Sequence, residues 1–233
     1  MQKKEPLKNR LFTVLPLQDA ALLQSELKTV ELRLHQVLFE PQQPVTHLYF
    51  PIDAIISIIS QTKEGETVET GMIGNEGVAG AAALLCPAVV PYLVMVQCGG
   101  KAQQIPFSFM KDFFDKNIAF RSLILRYLHT VLLQVAQSVI CNKFHKVDVR
   151  IARWLLATQD RRKHGLCPYT HEFLSMMLGT RRVSITLALG VMEKAGMIQM
   201  KRGAVKIKNR QKIEALACEC YFIAKQEIEA MFS

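Results

Sequence analysis

The chain reads as an α+β protein in three parts: an antiparallel β-rich N-terminal domain, a long apolar helix, and a C-terminal winged helix-turn-helix. Three observations predict it. Between Val30 and Pro106 short apolar runs are broken by turn residues; from Asn117 to Ile140 apolar residues recur with a helical period; and Thr170 to Lys206 reads as two short helices, a tight turn and a hairpin. The predicted boundaries are 1–116 for the β domain, 117–146 for the long helix and hinge, and 147–233 for the winged helix with its C-terminal helix.

Residues 11–29 form a helical entry in which Leu22, Leu23 and Leu27 cluster. Glu40-Pro41-Gln42-Gln43-Pro44, Lys63-Glu64-Gly65-Glu66 and Cys98-Gly99-Gly100-Lys101 then punctuate segments such as His47 to Phe50, Ile55 to Ile59 and Tyr92 to Val96. That is the rhythm of an antiparallel sandwich or barrel. Gly77 to Leu85, GVAGAAALL, interrupts it with a short Ala-rich helix. In the long helix, Ile124, Leu128, Val131, Val135 and Val139 make one stripe, and Leu125, Leu132, Leu133, Ala136 and Ile140 a second. One face packs on the β domain and the other seeks a partner. A parallel pair across a two-fold axis, joined through the first stripe, would satisfy it and make a homodimer. Burial wholly within one chain is the alternative. Lys143 to Lys146 reads as a hinge, after which Val147 to Gln159 restarts a helix with Ile151, Trp154 and Leu155 apolar.

Thr170 can N-cap a helix that places Phe173, Leu174, Met177 and Leu178 on one face, and Gly179 supplies the permissive backbone of the turn. A second helix starts near Thr180 or Arg181. Its Ile185, Leu189 and Met192, spaced i, i+4, i+7, form one buried stripe, and Gly196 stops it. Met197 to Met200 alternates as a strand, Lys201-Arg202-Gly203 turns, and Ala204 to Ile207 returns. Charge follows the same division. Residues 1–140 hold 12 Lys and Arg against 12 Asp and Glu, whereas residues 141–233 hold 17 against 8, so the whole excess of nine lies in the C-terminal part. A basic face attracts phosphates by counterion release, and here it coincides with the helix-turn-helix pattern.

Other chemistry is poorly supported. The N-terminus has no secretory pattern, and Tyr127 to Asn142, the longest uncharged helical candidate, falls short of the roughly 20 apolar residues that span a bilayer. A cytoplasmic protein with no membrane partner is expected. Cys86, Cys98, Cys141, Cys167, Cys218 and Cys220 contain no CxxC pair, which favours reduced thiols. Neither Cys141 with His145 nor His164, Cys167 and His171 completes a zinc shell. Cys218 and Cys220, two apart on one final helix, would point in different directions, so no metal and no cofactor are expected. There is no Walker loop, HExxH or GxSxG. A catalytic cysteine with a distant histidine stays open, but nothing selects one, so the chain is read as a non-enzyme without catalytic residues.

The order of parts, together with Leu178-Gly179-Thr180-Arg181-Arg182-Val183-Ser184-Ile185-Thr186 and Met192-Glu193-Lys194-Ala195-Gly196-Met197-Ile198, resembles the Crp/Fnr superfamily of bacterial transcription regulators. Those segments are similar to the family's LGxSRETVSR and LExxGLI signatures. Ala217-Cys218-Glu219-Cys220-Tyr221 resembles a motif of a divergent branch. The resemblance implies an N-terminal cyclic-nucleotide-binding-like β-roll, a dimerisation helix, and a homodimer that binds pseudo-palindromic double-stranded DNA through the helix at 181–194. For an activator it also implies contact with RNA polymerase. Arg182 falls on the family's base-reading arginine, but the following Glu is Val183 and the later helix arginine is Leu187. Base contacts are therefore expected from Arg182, Val183, Thr186 and Leu187, with Gly190 allowing close approach. Phosphate contacts are expected from Thr170, His171, Arg181, Ser184, Lys201 and Arg202. Alternatively, the apolar Val183 and Leu187 serve a protein-interaction module without specific DNA binding.

In cyclic-nucleotide members of the superfamily a Gly-Glu step holds the ribose and a later Arg neutralises the cyclic phosphate. Gly74, Glu76 and Gly77 resemble the first half, and Glu76 either caps the short helix or touches a ligand. From Gly77 to Gly100 there is no Lys or Arg, and Cys86-Pro87-Ala88-Val89-Val90-Pro91 stands where the phosphate arm should be. The effector is thus unknown, and cyclic AMP is not expected.

Overall fold

A computed structural model describes residues 6–85, 88–162, 169–201 and 203–233. A 3₁₀ turn at Arg10–Val14 and helix α1 (Leu17–Glu26) lead into seven strands. These are β1 (Lys28–Leu32), β2 (Val37–Phe39), β3 (His47–Pro51), β4 (Ile55–Gln61), β5 (Thr67–Ile73), β6 (Leu93–Cys98) and β7 (Gly100–Pro106). They form two antiparallel sheets, ordered β1-β7-β3 and β2-β6-β4-β5. The uninterrupted isoleucines of β4 have a structural reason. Ile56 and Ile58 face the roll interior with Val94, Val96 and Ala102, while Ile55 and Ile59 face outward into a second core shared with the C-terminal part. A strand covered on both faces needs no polar alternation.

Helices α2 (Phe107–Lys116) and α3 (Ile118–Phe144) follow, the latter capped by Asn117, whose Oδ1 accepts from the Phe120 amide at 2.8 Å. Then come α4 (Val147–Arg161), α5 (His171–Leu178), α6 (Arg182–Lys194), the hairpin β8 (Ile198–Lys201) and β9 (Ala204–Ile207), α7 (Arg210–Leu216) and α8 (Glu219–Ala230). The predicted Ala-rich helix is only a 3₁₀ turn, Ala81–Leu84, entered through Gly80 at φ 95°. Helix α3 runs through the first half of the predicted hinge and leaves His145 and Lys146 as the joint. The predicted single C-terminal helix is two, because Ala217 and Cys218 are extended. Helix α8 turns back along α3 and delivers Met231 into the core that holds Leu11, Phe12 and Phe50.

Helix α4 is joined to the roll by both apolar and polar contacts. Trp154 packs with Ile55, Ile59 and Met72 and donates its indole N–H to Glu69 Oε1 at 2.9 Å. The Ser57 hydroxyl donates to Glu69 Oε2 at 2.6 Å, and Gln97 Nε2 donates to the hydroxyls of Thr158 and Tyr169. Removing Ile55 and Ile59 from water contributes about 1.5–3 kcal/mol each, while the polar groups keep partners inside. Burial pushes the Glu69 carboxyl up to about 7, against the pull of its two hydrogen bonds and of Arg153 and Arg161.

By length and composition α3 is apolar enough to cross a membrane, so the expectation that this segment is too short does not hold. It buries Phe120, Leu123, Ile124, Tyr127 and Cys141 against its own chain. The expectation of six reduced thiols fails at Cys98, which is disulfide-bonded; Cys141, Cys218 and Cys220 are free and buried.

Candidate nucleic-acid interface

Local chemistry builds the helix-turn-helix. Thr170 Oγ1 accepts from the Phe173 amide at 3.0 Å and starts α5; Gly179, at φ 52°, ends it. The Thr180 amide then donates to Ser175 O at 3.1 Å, the αL closure that only a Gly makes without strain. Phe173, Leu174, Met177 and Leu178 from α5 meet Ile185, Leu189 and Met192 from α6, all buried. The buried Arg150 of α4 donates to Asn142 Oδ1 at 2.8 Å and to the Leu178 carbonyl, so the turn is held from below. Glu193 Oε1 accepts from the Met200 amide at 2.6 Å and fixes the wing to the end of α6.

With its inner stripe committed to the core, α6 presents the opposite face. Val183, Leu187 and Val191 are 69%, 67% and 65% exposed, and a Cβ placed on Gly190 meets nothing within 4 Å. Arg182 begins this face, its side chain 68% exposed and its Nη1 3.7 Å from Glu172 Oε2. Thr186 is less free than expected. Its hydroxyl donates to the Arg182 carbonyl at 3.1 Å and stands 2.9 Å from His171 Nδ1. Thr170, His171, Arg182 and Lys201 line one groove between α5 and the wing. Arg181 instead lines a separate cleft with Thr180, Thr67 and Glu66, facing the β4–β5 hairpin, and Ser184 is half-buried. Arg202, His164 and Cys167 lie outside the described residues.

Gly74, Glu76 and Gly77, expected at an effector site, all lie against other groups of the same chain. Glu76 Oε1 accepts from the Gly74 amide at 3.1 Å and from Arg161 Nε at 2.7 Å, an ion pair with both side chains buried. A Cβ on Gly74 would lie 2.7 Å from Arg161, and one on Gly77 would lie 2.6 Å from the Tyr127 hydroxyl. Both glycines are therefore closely approached by side chains of α3 and α4. Between the 3₁₀ turn and α3, among the described residues, lies a small pocket of about 30 Å³ lined by apolar residues such as Ile58, Val94 and Val131. A larger cavity of about 220 Å³ lies at the junction of α3, α4 and α8, with Arg153, Glu69, Asp160 and Lys225 in its wall.

On α3, Ile124 is fully buried in the chain's own core and Val131 packs against the roll. Leu128 and Val135 are half-buried, whereas Val139 is exposed together with Ile118, Leu125 and Leu132, one heptad apart from each other. The second predicted stripe is therefore the more open.

Cysteine placement departs most from expectation. Cys218 caps α8 in an extended conformation at φ −79° and ψ 165° instead of lying within it, so Cys218 and Cys220 converge. With Cys141 and His145 at the end of α3, their ligand atoms all lie within 4.8 Å of one another. Nothing local in the sequence reveals this, because helix turning brings α8 back over 70 intervening residues to the joint.

Residues 149–216 match the family model of the Crp-like helix-turn-helix domain. No curated protein sequence matches the chain. Among solved structures, a putative Crp/Fnr-family transcriptional regulator from Eubacterium rectale superposes with a TM-score of 0.69 at 16% identity, over 88% of this chain and 96% of that one. FixK2 from Bradyrhizobium japonicum gives 0.69 at 12%, over 82% and 98%. The c-di-GMP-responsive global regulator CLP from Xanthomonas campestris gives 0.66 at 16%, over 83% and 100%. The α+β fold is thus that of the Crp/Fnr regulators.

Proposed function

We propose that this chain, a Crp-like helix-turn-helix domain carried on the Crp/Fnr fold, is a dimeric, non-enzymatic transcription regulator that reads the major groove of duplex DNA with α6. The observation that carries the reading is the single groove shared by His171, Arg182 and Lys201 on the part of the chain that holds the whole charge excess. Arg182 offers a bidentate donor to a guanine, Val183 and Leu187 offer methyl contacts to thymine, and Lys201 offers charge to phosphate. Thr170, His171 and Ser184 sit beside these as further phosphate partners. Arg181, exposed beside the cleft toward the roll, is a further phosphate partner.

Two copies would pair along α3 through Ile118, Leu125, Leu132 and Val139, flanked by Leu128 and Val135. Such a dimer works in the cytoplasm and, as an activator, would contact RNA polymerase. The effector is left unassigned, and the buried Glu76–Arg161 ion pair supports the reading that it is not cyclic AMP. Selection of duplex DNA from a random pool at two salt concentrations tests the reading. A palindrome with half-sites about ten base pairs apart is expected; absence of enrichment at either salt would refute it. One observation favours the second reading, a protein-interaction module: the exposed Val183, Leu187 and Val191 make a continuous apolar strip. Substituting these three by polar residues separates the two, since a protein-docking role fails with DNA affinity intact.

A further inference from the structure

We propose that Cys141, His145, Cys218 and Cys220 hold one zinc ion in a tetrahedral Cys₃His site that fastens the C-terminal helix to the α3–α4 joint. Four ligand atoms of the right kind, three sulfurs and one imidazole nitrogen, lie within 4.8 Å of one another, and the three cysteines are buried. The spacing is that of a mononuclear centre. Zinc about 2.3 Å from each sulfur makes a tetrahedron whose S–S edges are about 3.8 Å. Cys141 Sγ and Cys218 Sγ are 3.7 Å apart, and Cys220 Sγ is 3.8 Å from His145 Nδ1. An iron–sulfur cluster would have to stand between its cysteines and needs more room than these distances leave.

The surroundings also fit. His145 turns Nδ1 toward the sulfurs, while its Nε2 lies 3.5 Å from Glu219 Oε1. A carboxylate on the far ring nitrogen fixes the tautomer that leaves Nδ1 free to ligate. On binding, all three sulfurs ligate as thiolates, any proton still on them leaving to solvent, and the neutral imidazole contributes its lone pair. The resulting site carries one net negative charge, and the Arg153 guanidinium, which acts on both Cys141 and Cys220, opposes it. Two ligands sit at the end of α3 and its joint and two at the start of α8, so the metal bridges elements 77 residues apart. The joint sets how the helix-turn-helix sits on α3, and the ion would hold it in one arrangement.

The test uses the full chain, reduced and stripped with a chelator, then titrated with cobalt(II). One equivalent per chain should produce the visible bands of tetrahedral cobalt with thiolate charge-transfer in the near ultraviolet, and zinc should bleach them. Zinc should also protect three thiols from a disulfide reagent and raise the unfolding temperature. Cys218→Ser and Cys220→Ser should each weaken binding at least tenfold, whereas His145→Cys should retain one metal with a four-thiolate spectrum. Glu219→Gln should lower affinity about tenfold or more with the spectrum unchanged. If a serine variant does not fold, the wild-type titration and His145→Cys still decide. An octahedral spectrum, no saturation at one equivalent, or a Cys141–Cys218 disulfide that persists under reducing conditions and blocks metal uptake would overturn the proposal.

Discussion

Arg182 stands at the first turn of α6 with Glu172 as its only described ion-pair partner, and both are exposed. Such a pair contributes little by itself, so the guanidinium is available to a base edge. Arg182→Ala should cost about 1–3 kcal/mol against the preferred operator and flatten discrimination among variants, whereas Lys201→Ala should weaken all sequences alike and reduce the salt slope by about one. Competition binding at several salt concentrations checks both. Gly190 offers a sharper test. Nothing lies within 4 Å of a Cβ built there, so Gly190→Ala should stabilise α6 by up to about 1 kcal/mol. Lost DNA affinity alongside a raised melting temperature would place the groove floor against this residue. These positions were legible in the sequence because a helical period of buried residues, Ile185, Leu189 and Met192, fixes what lies opposite. The ties of Thr186 to His171 and of Glu76 to Arg161 were not, since each depends on how separate elements meet.

Helix α3 shows what period alone leaves undecided. Two apolar stripes are visible in its sequence, but which meets the roll depends on the tilt at which Asn117 launches the helix. The outcome buries Ile124 and exposes Leu125 and Leu132. Leu132, at 68% exposure, can therefore be changed with little cost to the single chain. Leu132→Glu should turn a dimer into a folded monomer in sedimentation and lower operator affinity by removing the second half-site, with the melting temperature at high dilution unchanged. Val131→Glu should instead damage the fold, because it packs against the roll. A similar ambiguity hid the break at Ala217 and Cys218: the flanking apolar residues keep a helical spacing that two short helices satisfy as well as one.

At the scale of the molecule, the roll and the C-terminal part share a core through β4, Trp154 and Tyr169, with Glu69 at its centre. Because the folded state raises the Glu69 carboxyl from its usual value of 4.5 to about 7, the folded protein binds this proton more tightly than the unfolded chain. The contribution is therefore complete below pH 4.5 and disappears as the pH rises through about 7. Chemical denaturation across that window should show stability falling with pH, and Glu69→Gln should flatten the slope while keeping the Trp154 indole paired. The shared core also predicts one cooperative transition, seen alike by Trp154 fluorescence and far-ultraviolet dichroism.

The return of α8 has one more consequence. Met231 completes the core around Leu11 and Phe12, and Arg10 binds Glu229 across 219 residues of chain. On the ribosome, the roll can assemble its sheets and interior early, but the neighbouring core around Leu11, Phe12 and Phe50 closes only when the distal helix has emerged. Nascent chains stalled before that helix should remain sensitive to protease and be preferred chaperone clients, and completion of this contact, with its long loop closure, should time the appearance of the native protein.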